Sequence, residues 1–130
     1  MEFPKLIDLR SFCDGRGALS FVEAARDLPF EIRRCYWLYG MPEGCVRGAH
    51  AHRRLSELII AVCGSFTVSL ENYEGCVSSV RLDRPDRALL VEKMTWHELT
   101  GFSEDAVCLV LASEDYDETD YIRDRSNFEC

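Results

Sequence analysis

The chain lacks any apolar run of the length that a membrane-spanning helix requires. Residues 1–5 also lack a basic stretch followed by an apolar stretch, which is the pattern of a secretory leader. Internal repeats, linkers and low-complexity segments are missing too, and helical periodicity is scarce. We therefore expect a cytoplasmic protein with no membrane partner, folded as one domain over residues 1–130.

Basic residues are in short supply. The 15 lysines and arginines are outnumbered by 23 aspartates and glutamates, which gives a formal net charge of −8. This balance argues against a nucleic-acid partner, because such a partner needs a basic surface. It leaves room for one phosphorylated ligand, which a local arginine cluster can bind. The acidic run over residues 114–120 is predicted to be a solvated loop.

The seven cysteines include no CxxC pair, and their number is odd. A disulfide framework or a zinc knuckle is therefore not expected. We predict free thiols, several of which serve as small core residues.

What the sequence does contain is a succession of short β-type runs separated by turn residues. Over residues 66–70, for example, every second side chain is apolar. Many short strands with regular turns indicate an all-β sandwich or a closed barrel. We also expect a short helix within residues 116–128. The predicted strands cover residues 18–23, 33–39, 48–52, 57–63, 65–72, 76–82, 88–91, 96–100 and 106–112.

Two of the three histidines, His50 and His52, are spaced as residues i and i+2. In a strand these positions share one face, so both imidazoles project together. Together with Gly44, Glu57 and Gly64, the pair matches the first cupin motif in residue type and spacing. The motif predicts a cupin fold, which is an all-β double-stranded β-helix or jelly-roll barrel.

The second cupin motif is degraded. Glu92 and Met94 stand where a proline and a glycine are usual, and only His97 remains. Three interpretations of the histidines stay open. They could bind iron, manganese, nickel or zinc, or they could run acid–base chemistry without a metal or any other cofactor, since histidine titrates near neutral pH. A histidine pair that only fills the core or lies on the surface is a third interpretation. If a metal is present, its ligands are expected to be His50, His52, Glu57 and His97.

Four segments make the chain similar to the cupin sugar 3,4-ketoisomerases, which act on dTDP-4-keto-6-deoxyglucose. They are an aspartate–x–arginine–glycine start, a proline–phenylalanine segment that leads into a basic and aromatic strand, an RGxHAH signature and an LASxxYxxxDYIR tail. The segments occupy residues 14–19, 28–37, 47–52 and 110–123, so the resemblance spans nearly the whole chain.

The resemblance implies an isomerase that moves the ketone of a dTDP-linked 4-keto-6-deoxyhexose from C4 to C3 through an enediol, feeding 3-amino-dideoxysugar biosynthesis. It also implies a homodimer with exchanged N-terminal strands. The proton shuttle is assigned to His50 and His52, with Tyr36 as a relay or hydrogen-bonding partner. Arg34 is preferred over Arg33 because strand alternation places it on the same face as Tyr36. The residues expected to bind the substrate are Arg16, Arg34, Arg47 and His97.

Two departures from the family pattern matter. Glu57 stands where glutamine is expected, which keeps the metal question open, and Trp37 stands where a second tyrosine is common. Arg16 and His97 resemble the branch of the family that leaves the galacto configuration at C4. The alternatives to a ketoisomerase are a nucleotide-sugar 3,5-epimerase, a metal-dependent cupin such as a dioxygenase, and a sugar-binding cupin without catalysis.

Overall fold

The computed structural model describes residues 2–128, which form two facing antiparallel sheets and a separate hairpin. A 3-10 helix covers Glu118–Asp120, and helix α1 covers Arg125–Phe128. The strands are β1 (Lys5–Asp8), β2 (Arg10–Asp14), β3 (Gly17–Phe21), β4 (Arg34–Tyr39), β5 (Arg47–His52), β6 (Glu57–Cys63), β7 (Phe66–Asn72), β8 (Val77–Leu82), β9 (Arg87–Val91), β10 (Thr95–Thr100), β11 (Val107–Ala112) and β12 (Tyr121–Ile122).

The sheets have the winding of a jelly roll. The first sheet has the strand order β1-β9-β6-β11-β4, and the second has the order β12-β5-β10-β7-β8. From β4 to β7, and again from β8 to β11, the chain passes alternately between the two sheets, so that they close around a common interior. Strands β2 and β3 form a two-stranded sheet of their own.

The main core lies between the two sheets. In β7, Phe66, Val68 and Leu70 are buried and alternate with more exposed residues. They pack in one cluster with Ile59 and Val110, which come from the opposite sheet. Burial of these apolar faces is the principal force that holds the sheets together.

Strand β6 is buried on both faces. Ile59 points into the main core, whereas Leu58 and Ile60 belong to a second cluster with Leu28 on the outside of the first sheet. Half-buried side chains from β1 and from the segment after β3 cover this second cluster. Two buried faces explain why β6 is a continuous apolar run rather than an alternating one.

The structure confirms the all-β prediction and all nine predicted strands, with ends that differ by at most two residues. Strands β1, β2 and β12 were not predicted. At least half of the positions in β1 and β2 are polar or charged, and β12 has only two residues. The short helical segments within residues 116–128 are confirmed. At three and four residues, neither helical segment in the described part of the chain approaches the length needed to cross a bilayer.

The cysteine prediction is confirmed in one respect and wrong in another. The six cysteines within residues 2–128 are free, but only Cys108 is buried. Cys35, for example, occupies an outward-facing position of β4 and is exposed, so that strand alternation rather than residue type decides its burial. Cys130 lies outside the described residues.

Candidate functional site

A cavity of about 430 Å³ is lined by side chains from both sheets, and its volume suits a small organic ligand. We call five side chains at its base the floor, and residues 116–123 the wall. The wall contributes Tyr116, Tyr121 and Arg123 to the cavity lining. The floor consists of Tyr36, His50, His52, Glu57 and His97.

A bulge in β5 aims the histidine pair at the cavity. His50 pairs with His97 and Gly48 pairs with Glu98, which leaves Ala49 as an extra residue in β5. Gly48 has a φ of +79°, and a Cβ added there would lie 3.1 Å from the His97 carbonyl oxygen. Ala49 also has a positive φ, of 60°. The close approach of β5 to β10 therefore depends on glycine at position 48.

The three histidines form one cluster, as the predicted shared face requires. The ring centroid of His50 lies 4.7 Å from that of His52 and 4.8 Å from that of His97. His50 lines the cavity, whereas His52 is 3% exposed and lies outside the lining. The two rings therefore do not flank the cavity as an equivalent pair, because the edge of Tyr121, 4.5 Å away by centroids, packs on His52.

Burial keeps two of these imidazoles neutral. Desolvation, reinforced by the other histidines, lowers the pKa of His50 to about 3. Desolvation likewise lowers the pKa of His52 to about 4. Within residues 2–128, Nε2 of His52 has no hydrogen-bond partner although it is buried. At neutral pH both rings therefore carry a free lone pair that can accept a proton.

Glu57 links Tyr36 and His97 at the base of the floor. The Tyr36 hydroxyl donates to Glu57 Oε2 at 3.1 Å, and His97 Nε2 lies 3.0 Å from Glu57 Oε1. Burial alone would raise the pKa of Glu57, but the His97 hydrogen bond and the nearby histidine charges lower it to about 2. Burial alone would lower the pKa of His97, but the Glu57 hydrogen bond and charge raise it. Desolvation and Glu57 both raise the pKa of Tyr36.

The four residues proposed as metal ligands do not all direct donor atoms toward one common point. The possible donor atoms of His50, His52 and His97 lie within 4.8 Å of one another, and Glu57 is not part of that group. His97 has no free lone pair, because Nδ1 faces the Thr95 carbonyl at 3.1 Å and Nε2 faces Glu57. A metal bound through His97 Nε2 would have to displace Glu57 from that nitrogen.

Arg34, the first residue of β4, and Arg33, which precedes it, face opposite sides as expected. Arg34 lines the cavity, with its guanidinium 5.0 Å from the Tyr36 ring centre, and its Nε is buried without a partner among the described residues. Arg33 is exposed and pairs with Asp115. Arg47 lies at the exposed edge of the same cavity.

Arg16 is not brought to the cavity within one protomer. It lies in the turn of the β2–β3 hairpin, exposed, and pairs with Asp14 at 2.7 Å. The hairpin belongs to neither barrel sheet, so no strand pairing within residues 2–128 directs it toward the floor.

The wall was missed as a group of functional residues, although the predicted tail motif contains it. Asp120 fixes it, because its buried carboxylate accepts from the backbone N–H groups of Arg54 and Leu55 at 2.8 and 3.1 Å. The acidic run is therefore only partly the solvated loop that we predicted. β12 then pairs with β5, which sets Tyr121 opposite His52. Arg123 stacks on the Tyr121 ring at 4.3 Å.

Comparison with known proteins identifies the family. The family model described as "FdtA: WxcM-like, C-terminal" matches residues 2–130. The chain belongs to this family. A relative from Aneurinibacillus thermoaerophilus, named TDP-4-oxo-6-deoxy-alpha-D-glucose-3,4-oxoisomerase, is 39% identical over 95% of this chain and 88% of its own length.

Two solved structures of 3,4-ketoisomerases are closely similar to this chain. A 3,4-ketoisomerase from Helicobacter canadensis has a TM-score of 0.92 and 38% identity, covering 98% of this chain and 96% of its own. A mutant of the 3,4-ketoisomerase QdtA from Thermoanaerobacterium thermosaccharolyticum, in complex with TDP-4-keto-6-deoxyglucose, has a TM-score of 0.92 and 33% identity, covering 98% and 93%. These likenesses confirm the predicted cupin fold.

Proposed function

We propose that the chain isomerises a dTDP-linked 4-keto-6-deoxyhexose to its 3-keto isomer by histidine acid–base chemistry. The observation that carries the proposal is the position of the His50 imidazole in the lining of a cavity of about 430 Å³, in a member of a family whose relatives are named for this reaction. The enzyme class, an isomerase acting on a nucleotide-linked sugar, follows from the same relatives.

The reaction needs a base that removes the proton from C3. The resulting enediol then takes up a proton at C4, and a proton passes from the C3 oxygen to the C4 oxygen, so that nothing is gained or lost overall. We assign the carbon base to His50, which lines the cavity and is neutral at pH 7. His52, with a free Nε2 and a ring 4.7 Å from that of His50, completes the shuttle.

We assign binding of the negatively charged end of the ligand to the arginines of the cavity. In a chain with a net charge of −8, Arg34, Arg47 and Arg123 all line the same cavity. Guanidinium groups suit both a diphosphate and the negative oxygen of an enediolate. His97 stays in the proposal as a substrate-facing residue, because it lines the cavity although Glu57 holds its Nε2.

We further propose a homodimer. The hairpin exposes Phe12 and Leu19, at 69% and 59%, and β4 exposes Trp37 and Tyr39, at 56% and 71%. β4 also ends the first sheet, so its outer edge is open within the described chain. A second copy that laid its hairpin along this edge would cover both apolar surfaces, and it would carry Arg16 away from its own barrel. Light scattering during gel filtration tests this, and a monomer at micromolar concentration would contradict it.

A cytoplasmic location is part of the proposal. The six described cysteines are free and four of them are exposed, which suits a reducing compartment.

The test of the function is the structure of the product. Proton NMR of TDP-4-keto-6-deoxyglucose incubated with the protein in D2O should show the 3-keto isomer with deuterium at C4. The same spectrum reports the configuration at C4, for which Arg16 and His97 favour galacto. A product altered at both C3 and C5 would indicate an epimerase, and binding without deuterium exchange would indicate a sugar-binding protein, so either result would overturn the proposal.

A further inference from the structure

Glu57 is shared between two side chains of the cavity floor. Its Oε2 accepts from the Tyr36 hydroxyl, and its Oε1 lies 3.0 Å from His97 Nε2. The Glu57 side chain is 2% exposed, so water does not compete for either oxygen. Both Tyr36 and His97 line the cavity. A single buried carboxylate therefore determines where two cavity-lining hydrogen-bonding groups direct their protons.

The donors and acceptors that are present determine the direction of the Tyr36 hydroxyl proton. A tyrosine hydroxyl has one proton to donate, whereas a carboxylate only accepts. The Tyr36 proton therefore points at Glu57, and the phenolic oxygen offers only lone pairs to the cavity. A ligand group next to that oxygen has to be a donor, such as a sugar hydroxyl, and a ketone oxygen is excluded from that position.

We propose that Glu57 is a positioning residue that makes Tyr36 a hydrogen-bond acceptor and thereby sets which way round the sugar lies. The inference rests on the proposed function. In the substrate the hydroxyl is on C3 and the ketone on C4, so the hydroxyl is placed at Tyr36 and the ketone oxygen is left to the N–H donors of the cavity. This orientation presents C3, the carbon that loses its proton, to the floor that holds His50.

Two variants of similar size separate this role from simple filling of space. In Glu57→Gln the amide oxygen still accepts from Tyr36, and the amide nitrogen donates to His97 Nε2 once His97 has released its Nε2 proton and become neutral. In Glu57→Met the Tyr36 proton has no strong acceptor and is free to point into the cavity. Glu98→Met is the matched control, because Glu98 also accepts one hydrogen bond, from Trp96 Nε1 at 3.1 Å, but lies outside the cavity lining.

With TDP-4-keto-6-deoxyglucose, we expect kcat of Glu57→Met to fall by about 10²-fold, the usual cost of a misplaced reactant, with KM changed far less. Glu57→Gln should retain most of the turnover. In a Tyr36→Phe background Glu57→Met should cost less than it does alone, because only its effect through His97 remains. Equal losses for Gln and Met, additive losses in the double variant, or an equal loss in Glu98→Met would overturn the inference.

A measurement on the ligand-free protein keeps this inference separate from the proposed function. By NMR, the wild-type Tyr36 hydroxyl proton should exchange slowly with solvent, whereas that of Tyr116, which is 61% exposed, should exchange rapidly. The slow proton should persist in Glu57→Gln. Rapid exchange at Tyr36 in an active wild-type enzyme would overturn the inference alone. If the Tyr36 hydroxyl proton exchanges slowly but the wild-type protein does not isomerise the sugar, the proposed function is overturned. If Glu57→Met does not fold, the wild-type and Glu57→Gln protons decide the matter.

Discussion

The floor and the wall of the cavity are held in place by different forces. On the floor, the side chains of Glu57 and His97 are each 2% exposed and are hydrogen-bonded to one another. On the wall, Glu118 and Arg123 form an ion pair with both side chains more than half exposed. Solvent screens an exposed pair, so it adds little stability, whereas removal of one partner from a buried pair leaves an uncompensated charge. A buried pair therefore holds the floor to which we assign the chemistry, whereas the wall depends on the buried Asp120 rather than on its exposed ion pair.

The sharpest test of that contrast is replacement of the floor base. His50→Asn or His52→Asn should lower kcat by roughly 10²–10⁴-fold, the usual loss when an acid–base group is removed. Nucleotide binding, measured by calorimetry with TDP, should remain, because the arginines are untouched. Glu118→Gln on the wall is the control and should keep most of the turnover. Near-wild-type kcat in either histidine variant would contradict the shuttle.

Within the wall, we expect replacement of Asp120 to lower the free energy of unfolding far more than replacement of Glu118. Asp120→Ala leaves two backbone N–H groups without an acceptor, of which the one on Leu55 is buried. A hydrogen bond to a charged group contributes about 1.5–3 kcal/mol, so we expect a loss of that order or more in the free energy of unfolding. Urea denaturation at pH 7 measures it. Glu118→Gln removes only the exposed pair and should leave the midpoint almost unchanged. Equal shifts in both variants would show that the wall has no buried anchor.

Local sequence rules predicted much of the floor and little of the wall. The period of two in strands was sufficient to place His50 and His52 on one face and to choose Arg34 over Arg33. It could not show that β5 carries an extra residue at Ala49, nor that Glu57 and His97, 40 positions apart, would meet across the barrel. Both facts depend on the pairing of distant strands.

The positions of Tyr121 and Arg16 depend on distant contacts in a similar way. Tyr121 reaches the histidines only because Asp120 anchors the tail to the chain after β5, a contact between residues more than 60 positions apart. Arg16 matched the family by type, but its hairpin leaves the barrel, so its use at a site requires a second chain. Residue type identified these positions, but it could not determine which surface they face.

Two glycines offer a smaller and more controlled test. Gly48 and Gly44 have nearly the same backbone, with φ of +79° and +78°, but only a Cβ at Gly48 meets a neighbour, the His97 carbonyl at 3.1 Å. Both alanine variants should lose about 1 kcal/mol to left-handed strain. Gly48→Ala should lose more, and its turnover should fall because β5 is pushed from β10. Thermal unfolding and kcat measure both effects, and equal behaviour of the two variants would show that the close approach is unimportant.

The smallest expected effect is that of pH on kcat/KM. A histidine base with an ordinary pKa of 6.5 would lose about 30-fold in kcat/KM at pH 5. Because burial lowers the pKa of His50 and His52 to about 3 and 4, kcat/KM should stay nearly constant from pH 7.5 to 5. An inflection near pH 6.5 would contradict this.

Stability should nevertheless decline over part of the same range. The folded pKa values of His50 and His52 lie below the unfolded value of about 6.5, so between pH 6 and 5 the unfolded chain binds protons that the folded chain does not, and stability falls as the pH falls. Glu118 on the wall contributes little to this decline, because Arg123 lowers the pKa of its carboxyl from 4.5 to about 2, so the stability that this carboxyl adds is lost mainly below pH 5. Urea denaturation at pH 6 and 5 tests the assignment, since the decline should shrink in His50→Asn and persist in Glu118→Gln.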